Sequence, residues 1–165
     1  MPAIKPRLIS PTIRSSFAGS STGFCNTNLV LQKAVFNLDA GLKNSLFLRC
    51  DELPFVQCEE GIIKKTITQV LQLIADKKDG QTKLYLHVNA IAEPEEQSTN
   101  SKQKNLTRYK LRFHTNITLT KEWLKMAEQK LTNINALLLP YDGNLSVTQL
   151  KNSGCIFTMS VPGKL

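Results

Sequence analysis

The stretch IIKKTITQVLQLIADKK, residues 62–78, sets Ile63, Ile67, Val70, Leu71 and Ile74 on one side of a helix and leaves lysines, glutamines and an aspartate on the other. A stripe of that width must be covered by another layer of structure. Asp79-Gly80 supplies the stop, and TKLYLHVNAIA then changes period: Leu84, Leu86 and Val88 fall on one side of a half-buried strand. A helix with an apolar face, followed at once by a strand with another, predicts a helix layer packed on a sheet. A chain of 165 residues can bury roughly 70% of its unfolded surface, enough for one domain with its own core. Its 41% hydrophobic and 21% charged residues fit such a domain.

The remaining segments extend the pattern. NTNLVLQKAVFNLDAGLKNS, from Asn26, places Leu29, Ala34, Val35, Leu38 and Leu42 near helical spacing behind an Asn or Thr cap. LFLRC reads as a short strand. DELPFVQCEEG is expected to give a turn, a brief extended piece and a helix start, where Glu59 and Glu60 suit the positive end of the helix dipole. Residues 93–107 are polar and lie between strands, so an exposed hairpin loop is expected. RYKLRFHT resumes alternation through Tyr109, Leu111 and Phe113. A helix from Thr120 to Leu138 carries Trp123, Met126, Ala127, Leu131 and Ile134, with Trp123 as a core anchor. Pro140 and Asp142-Gly143 end it, and NLSVTQL, KNSG and CIFTMSVP predict two antiparallel strands around a glycine turn. The expected fold is therefore α+β: a two-layer sandwich whose mixed, mainly antiparallel sheet is covered by helices on one face. Residues 26–165 form the domain, and residues 1–25, punctuated by Pro2, Pro6 and Pro11, form an extension or linker.

Charge and cysteines narrow the function classes. The net charge of +8 favours phosphates or acidic surfaces, yet the basic residues are dispersed and form no dense block. Phe47, Tyr85, Tyr109 and Phe113 are expected in the sheet core, which disfavours a nucleic-acid partner. Cys25, Cys50, Cys58 and Cys155 show no C-x-x-C spacing, so reduced thiols and a cytoplasmic setting are expected and no metal site is predicted. No apolar run reaches the roughly 20 residues that cross a bilayer. The pairs Asp51-Glu52, Glu59-Glu60 and Glu95-Glu96 are adjacent in sequence, so their side chains diverge; they are read as turn and cap residues, not as a catalytic pair. His87 is read as a surface histidine, because the sequence sets no acid or nucleophile beside it.

Two longer motifs carry a family resemblance. LRCDELPFVQCEEGIIKKTITQVLQLIADKK is similar to a stretch in which a strand, a D-x-P turn and a Q-V-L helix follow one another, with Gln69, Val70 and Leu71 as the Q-V-L. YDGNLSVTQLKNSGCIFTMSVP is similar to G-G-x-I-x-V … G-x-G-T-x-F-x-x-x-L-P, with Gly143, Gly154, Phe157 and Pro162 in register. From about Asn28 to Leu165 the chain resembles the ATP-binding domain of sensor histidine kinases, the Bergerat-type fold. The resemblance implies an amide-bearing helix for Mg²⁺, a D-x-G-x-G motif for adenine and a glycine-rich lid. In register with the Q-V-L, Leu73 and Lys77 stand where the family has its two asparagines; a shift of one gives Gln72 and Asp76. Thr115 and Asn116 occupy the adenine-side region, no glycine lies between Gly80 and Gly143, and residues 115–120 leave little length for a lid.

These departures predict a degenerate histidine-kinase-like ATPase domain that acts as a regulatory or interaction module in two-component signalling. It is expected to lack its own catalysis and to need no cofactor, with a histidine phosphotransfer or response-regulator protein as partner. The basic residues Lys64, Lys65, Lys77 and Lys78 offer one contact face. Its only histidines, His87 and His114, fall on strands within the domain and supply no phosphoacceptor helix. The alternative is a catalytic domain with an unconventional Mg-ATP site that draws Mg²⁺ through Asp76 or Gln72 and contacts adenine through Thr115 or Asn116; with Lys77 these are the vestigial nucleotide-site positions. A basic nucleic-acid module stands below both.

Overall fold

The computed structural model of the protein describes residues 23–77, 83–93, 107–151 and 154–164. The expected stop at Asp79-Gly80, Lys78, most of the hairpin loop at 93–107, the middle of the KNSG turn and nearly all of the N-terminal segment lie outside the described residues.

Chain order is β1 (Phe24–Asn26), α1 (Thr27–Phe36), α2 (Ala40–Ser45), β2 (Leu46–Cys50), β3 (Phe55–Gln57), α3 (Glu60–Lys77), β4 (Leu84–Ala92), β5 (Thr107–Thr115), α4 (Lys121–Leu138), a 3₁₀ turn (Leu139–Tyr141), β6 (Asn144–Gln149) and β7 (Cys155–Lys164). The strands form one sheet in the order β1-β3-β7-β5-β4-β2, and β6 lies beside the first half of β7, on the side that β3 takes at its end. Among the described residues only the β2–β4 pair is parallel; the others are antiparallel. This is the mixed, mainly antiparallel sheet that the sequence predicts, with helices on one face.

Periodicity decides which residues build the core. Ile63, Ile67, Val70, Leu71, Leu73 and Ile74 of α3 are buried, as are Leu84, Leu86 and Val88 of β4 and Tyr109, Leu111 and Phe113 of β5. Register carries the same face across to Phe157, Met159 and Val161 of β7, so successive strands present one continuous apolar surface to the helices. Removing such side chains from water at about 1.5–3 kcal/mol each is the main force that holds the layers together.

The helix expected from Asn26 to Ser45 is two helices. Asn26 caps α1 by accepting the Leu29 N–H, and the chain then breaks at Asn37 and Leu38. Asp39 restarts it by accepting the Leu42 N–H at 2.9 Å. On α1 the buried stripe is Val30, Leu31 and Ala34, and Leu29 is exposed. On α4, capped by Thr120, Ala127, Ile134 and Leu138 are buried while Met126 points to solvent, 76% exposed. Trp123 is half-buried and meets Phe157 edge-on at 6.4 Å.

Asparagine side chains close the gaps between elements. Asn135 of α4 accepts the Leu145 N–H at 2.7 Å and donates to the Leu145 carbonyl at 3.0 Å, and Asn28 of α1 does the same for Leu53 at 3.2 and 3.0 Å. Each amide imitates a neighbouring strand for one residue. At the other end of the sheet, Gly154 has φ +85°, and a Cβ there would lie 2.4 Å from the Thr115 carbonyl oxygen. A glycine is thus required where β7 starts against β5.

Candidate functional site

The sequence-predicted site residues fall into two groups. On α3, Gln72 and Asp76 are one turn apart on the exposed side, and the Gln72 amide donates to Asp76 Oδ1 at 3.0 Å. Lys130 of α4 brings its ammonium to 3.9 Å from Asp76 Oδ2, so the pair lies along the α3–α4 boundary. Lys77, half-buried, follows at the end of the helix. Leu73, which shares the Q-V-L register with Lys77, is 4% exposed and belongs to the core.

The second group closes β5. Thr115 is buried, and its hydroxyl oxygen accepts the Ile117 N–H at 3.3 Å. Asn116 accepts the Tyr85 N–H at 3.0 Å and donates to the Lys83 carbonyl at 2.9 Å, continuing the β4–β5 pairing one step beyond Thr115. No hydrogen bond or ion pair joins the two groups among the described residues. The link from β5 to α4 is pinned: Ile117 and Leu119 are buried, and the Leu119 N–H donates to Gln149 Oε1 at 2.7 Å.

Other features were hidden from sequence reasoning. His87 Nε2 lies 3.0 Å from Asp51 Oδ2, a partner 36 residues away that only the β2–β4 register brings alongside. The rings of His87 and His114 stand 5.9 Å apart. Burial and the neighbouring Arg112 guanidinium hold the His114 pKa below the usual imidazole value. Phe47 and Tyr85, expected in the core, instead stack on the sheet face away from the helices, because their register mates alternate with Leu46, Leu84 and Leu86. A shallow cavity of about 330 Å³ between α1 and the start of α3 is lined by Leu29, Gln32, Lys33, Phe36, Asn37 and Lys64. It lies at the opposite end of α3 from Gln72 and Asp76.

All four cysteines are free. Burial pushes the thiols of Cys25, Cys58 and Cys155 up to about 12, while Cys50 is exposed. Among the described residues no cluster of three or more His, Cys, Asp or Glu side chains is placed to hold a metal, and no helix is long and apolar enough to cross a membrane.

No protein-family model matches the chain, and no curated protein matches it. Solved structures do. The chain superposes on the mycobacterial sensor histidine kinase MprB with a TM-score of 0.64 at 9% identity, covering 87% of this chain and 98% of that one. The nucleotide-free catalytic domain of histidine kinase ThkA gives 0.62 at 12% identity, over 86% and 96% of the two chains. The ATP-binding domain of PrrB from Mycobacterium tuberculosis gives 0.60 at 10% identity, over 88% and 99%. At these identities the likeness is one of fold, and the fold is that of histidine-kinase ATP-binding domains.

Proposed function

We propose that residues 26–165 form a histidine-kinase-like ATPase domain that has kept the family's framework without its nucleotide chemistry, and that it works as an interaction module in two-component signalling. The observation that carries this reading is the use to which the ligand-facing positions are put. The helix position that would present an amide to Mg²⁺ in the Q-V-L register holds Leu73, packed in the core. At the adenine side, the Asn116 amide is bonded to the backbone of Tyr85 and Lys83, and the Thr115 hydroxyl oxygen accepts from the Ile117 N–H. Where a lid would be, residues 116–120 are fixed by two buried apolar side chains and the Gln149 contact. These donors do not fit a magnesium-bound triphosphate held in the family manner.

The matching glycines have packing reasons of their own. Gly154 admits the Thr115 carbonyl, and Gly143, whose Cβ would come to 3.0 Å from Val161 Cγ1, lets the turn after α4 close on β7. Core-forming parts of a motif can therefore persist without a ligand. Freed from nucleotide, the domain offers its surface to a protein such as a response regulator or histidine phosphotransfer protein, and the exposed Lys64 and Lys65 of α3 suit an acidic one.

Calorimetric titration with Mg-ATP and Mg-ADP tests the reading. No saturable heat is expected, and micromolar binding of either would overturn it. The exposed Gln72–Asp76 pair is the one feature that favours the catalytic alternative, since these side chains have oxygens free of the core. Under that alternative Mg-ATP raises the melting temperature, and Asp76→Ala removes the rise; ligand at about 100 times its dissociation constant adds roughly 2.7 kcal/mol.

A further inference from the structure

The sheet face turned away from the helices has a composition that a solvated surface does not require. Register places the residues in rows across the strands. Phe47 of β2 and Tyr85 of β4 are cross-strand neighbours whose rings stack with centroids 5.2 Å apart and an interplanar angle of 22°. They stay 49% and 53% exposed. Lys83 sets its ammonium 5.3 Å from the Phe47 ring centre. One row along come Arg49, His87 and His114, the two imidazoles tilted by 32°. The next row pairs Asn89 with Arg112, and Lys110 follows beyond it.

Acids balance part of this charge. Asp51 contacts His87 and Arg49, at 3.0 and 3.6 Å, and Glu93 contacts Lys110 and Arg108, at 2.8 and 3.7 Å. Arg112 and Lys83 have no acidic partner among the described residues. Among the described residues, Asn89 Oδ1 and His114 Nε2 are hidden from solvent without a hydrogen-bond partner.

We propose that this open sheet face binds single-stranded nucleic acid, with the Phe47–Tyr85 stack and the His87–His114 pair as base platforms and Lys83, Arg49 and Arg112 as phosphate contacts. An acidic peptide would satisfy the cations, but its carboxylates have no use for an exposed aromatic stack. A polynucleotide uses both, since bases extend a ring stack whatever their identity while phosphates follow the cations. Duplex bases are already stacked on one another, so the strand has to be single. The net charge of +8 draws a polyanion to the surface. The inference stands apart from the proposed function, because it concerns the opposite layer from α3.

Fluorescence anisotropy on the full chain, with labelled oligo-dT and oligo-rU of about 12 nucleotides, provides the test. Saturable binding is expected, weakening with salt on a log–log slope of about −2 for three phosphate contacts. Phe47→Ala and Tyr85→Ala each weaken it about 5- to 150-fold. Arg112→Gln makes the slope shallower by about 0.7, and Lys125→Gln, exposed on the helix layer, leaves affinity and slope unchanged. Melting curves of the variants check that each remains folded, as the exposure of both rings predicts. Absence of saturable binding overturns the proposal. So does equal weakening by Lys125→Gln and Arg112→Gln, or oligonucleotide affinity that Phe47→Ala and Tyr85→Ala leave unaltered while polyglutamate displaces the strand, which would assign the face to an acidic protein.

Discussion

Replacing Gly154 by alanine measures how tightly the start of β7 is held. The residue sits at φ +85°, where an L side chain costs about 1–2 kcal/mol. Its Cβ would also lie 2.4 Å from the Thr115 oxygen, 3.4 Å from the Thr115 carbonyl carbon and 3.5 Å from Asn116 Cα. The obstruction is backbone, so no rotamer relieves it. Thr115 pairs with Cys155 in the β5–β7 ladder, and moving it strains the Ile117 N–H contact and the Asn116 bonds to β4. Strain and clash together predict a loss of about 3 kcal/mol, equivalent to roughly 6–12 °C in Tm for a domain of this size. Urea unfolding at constant m-value is the assay. Gly61→Ala serves as a control of opposite sign: it lies in the first turn of α3 with only Glu59 Oε1 nearby, at 3.7 Å, and is expected to gain about 0.5–1 kcal/mol. A Gly154→Ala loss below about 1 kcal/mol would refute the packing explanation of this glycine.

Three further outcomes follow from the same contacts. Asn135→Ala strands both polar groups of Leu145 and should cost about 2 kcal/mol in urea unfolding, with Asn135→Asp recovering only the contact to the N–H. Native protein at pH 8 should expose a single thiol, Cys50, to a chromogenic disulfide reagent, and all four after denaturation; fast reaction of Cys25, Cys58 or Cys155 would contradict their burial. Those three thiols are raised in the folded state from 9.0 to about 12, so their contribution is complete below pH 9 and is lost as pH climbs from 9 towards 12. Alkaline unfolding monitored by circular dichroism should fall in that window, and Cys155→Ala should move its midpoint upward.

The layers were legible because apolar periodicity is a local signal. Five residues of α3 and three each of β4 and β5 name their own buried face, and the structure buries every one. Caps were less legible. Asn37 and Asp39 interrupt a helical pattern that reads as continuous, since the side-chain bond from Asp39 to the Leu42 N–H competes with propagation through a site where spacing alone suggests none. Sheet faces were least legible where alternation involves aromatic residues: alternation sets Tyr85 opposite Leu84, Leu86 and Val88, but Phe47 is as apolar as Leu46 and Leu48, and only the parallel β2–β4 register sets it beside Tyr85 on the outer face. The same holds for Asp51 and His87, brought together by strand pairing across 36 residues. The candidate positions Gln72, Asp76, Lys77, Thr115 and Asn116 were named through family resemblance, whereas the bonds that occupy Asn116 and Thr115 depend on how β4 and β5 end, which no spacing encodes.

On the reading proposed above, the nucleotide-facing positions of this fold serve structure in place of a ligand. Amide chemical shifts recorded while Mg-ADP is added to millimolar concentration test it residue by residue. Unmoved resonances for Gln72, Leu73, Asp76, Thr115 and Asn116 are predicted; saturable shifts that converge on the α3–α4 boundary and the end of β5 would contradict it.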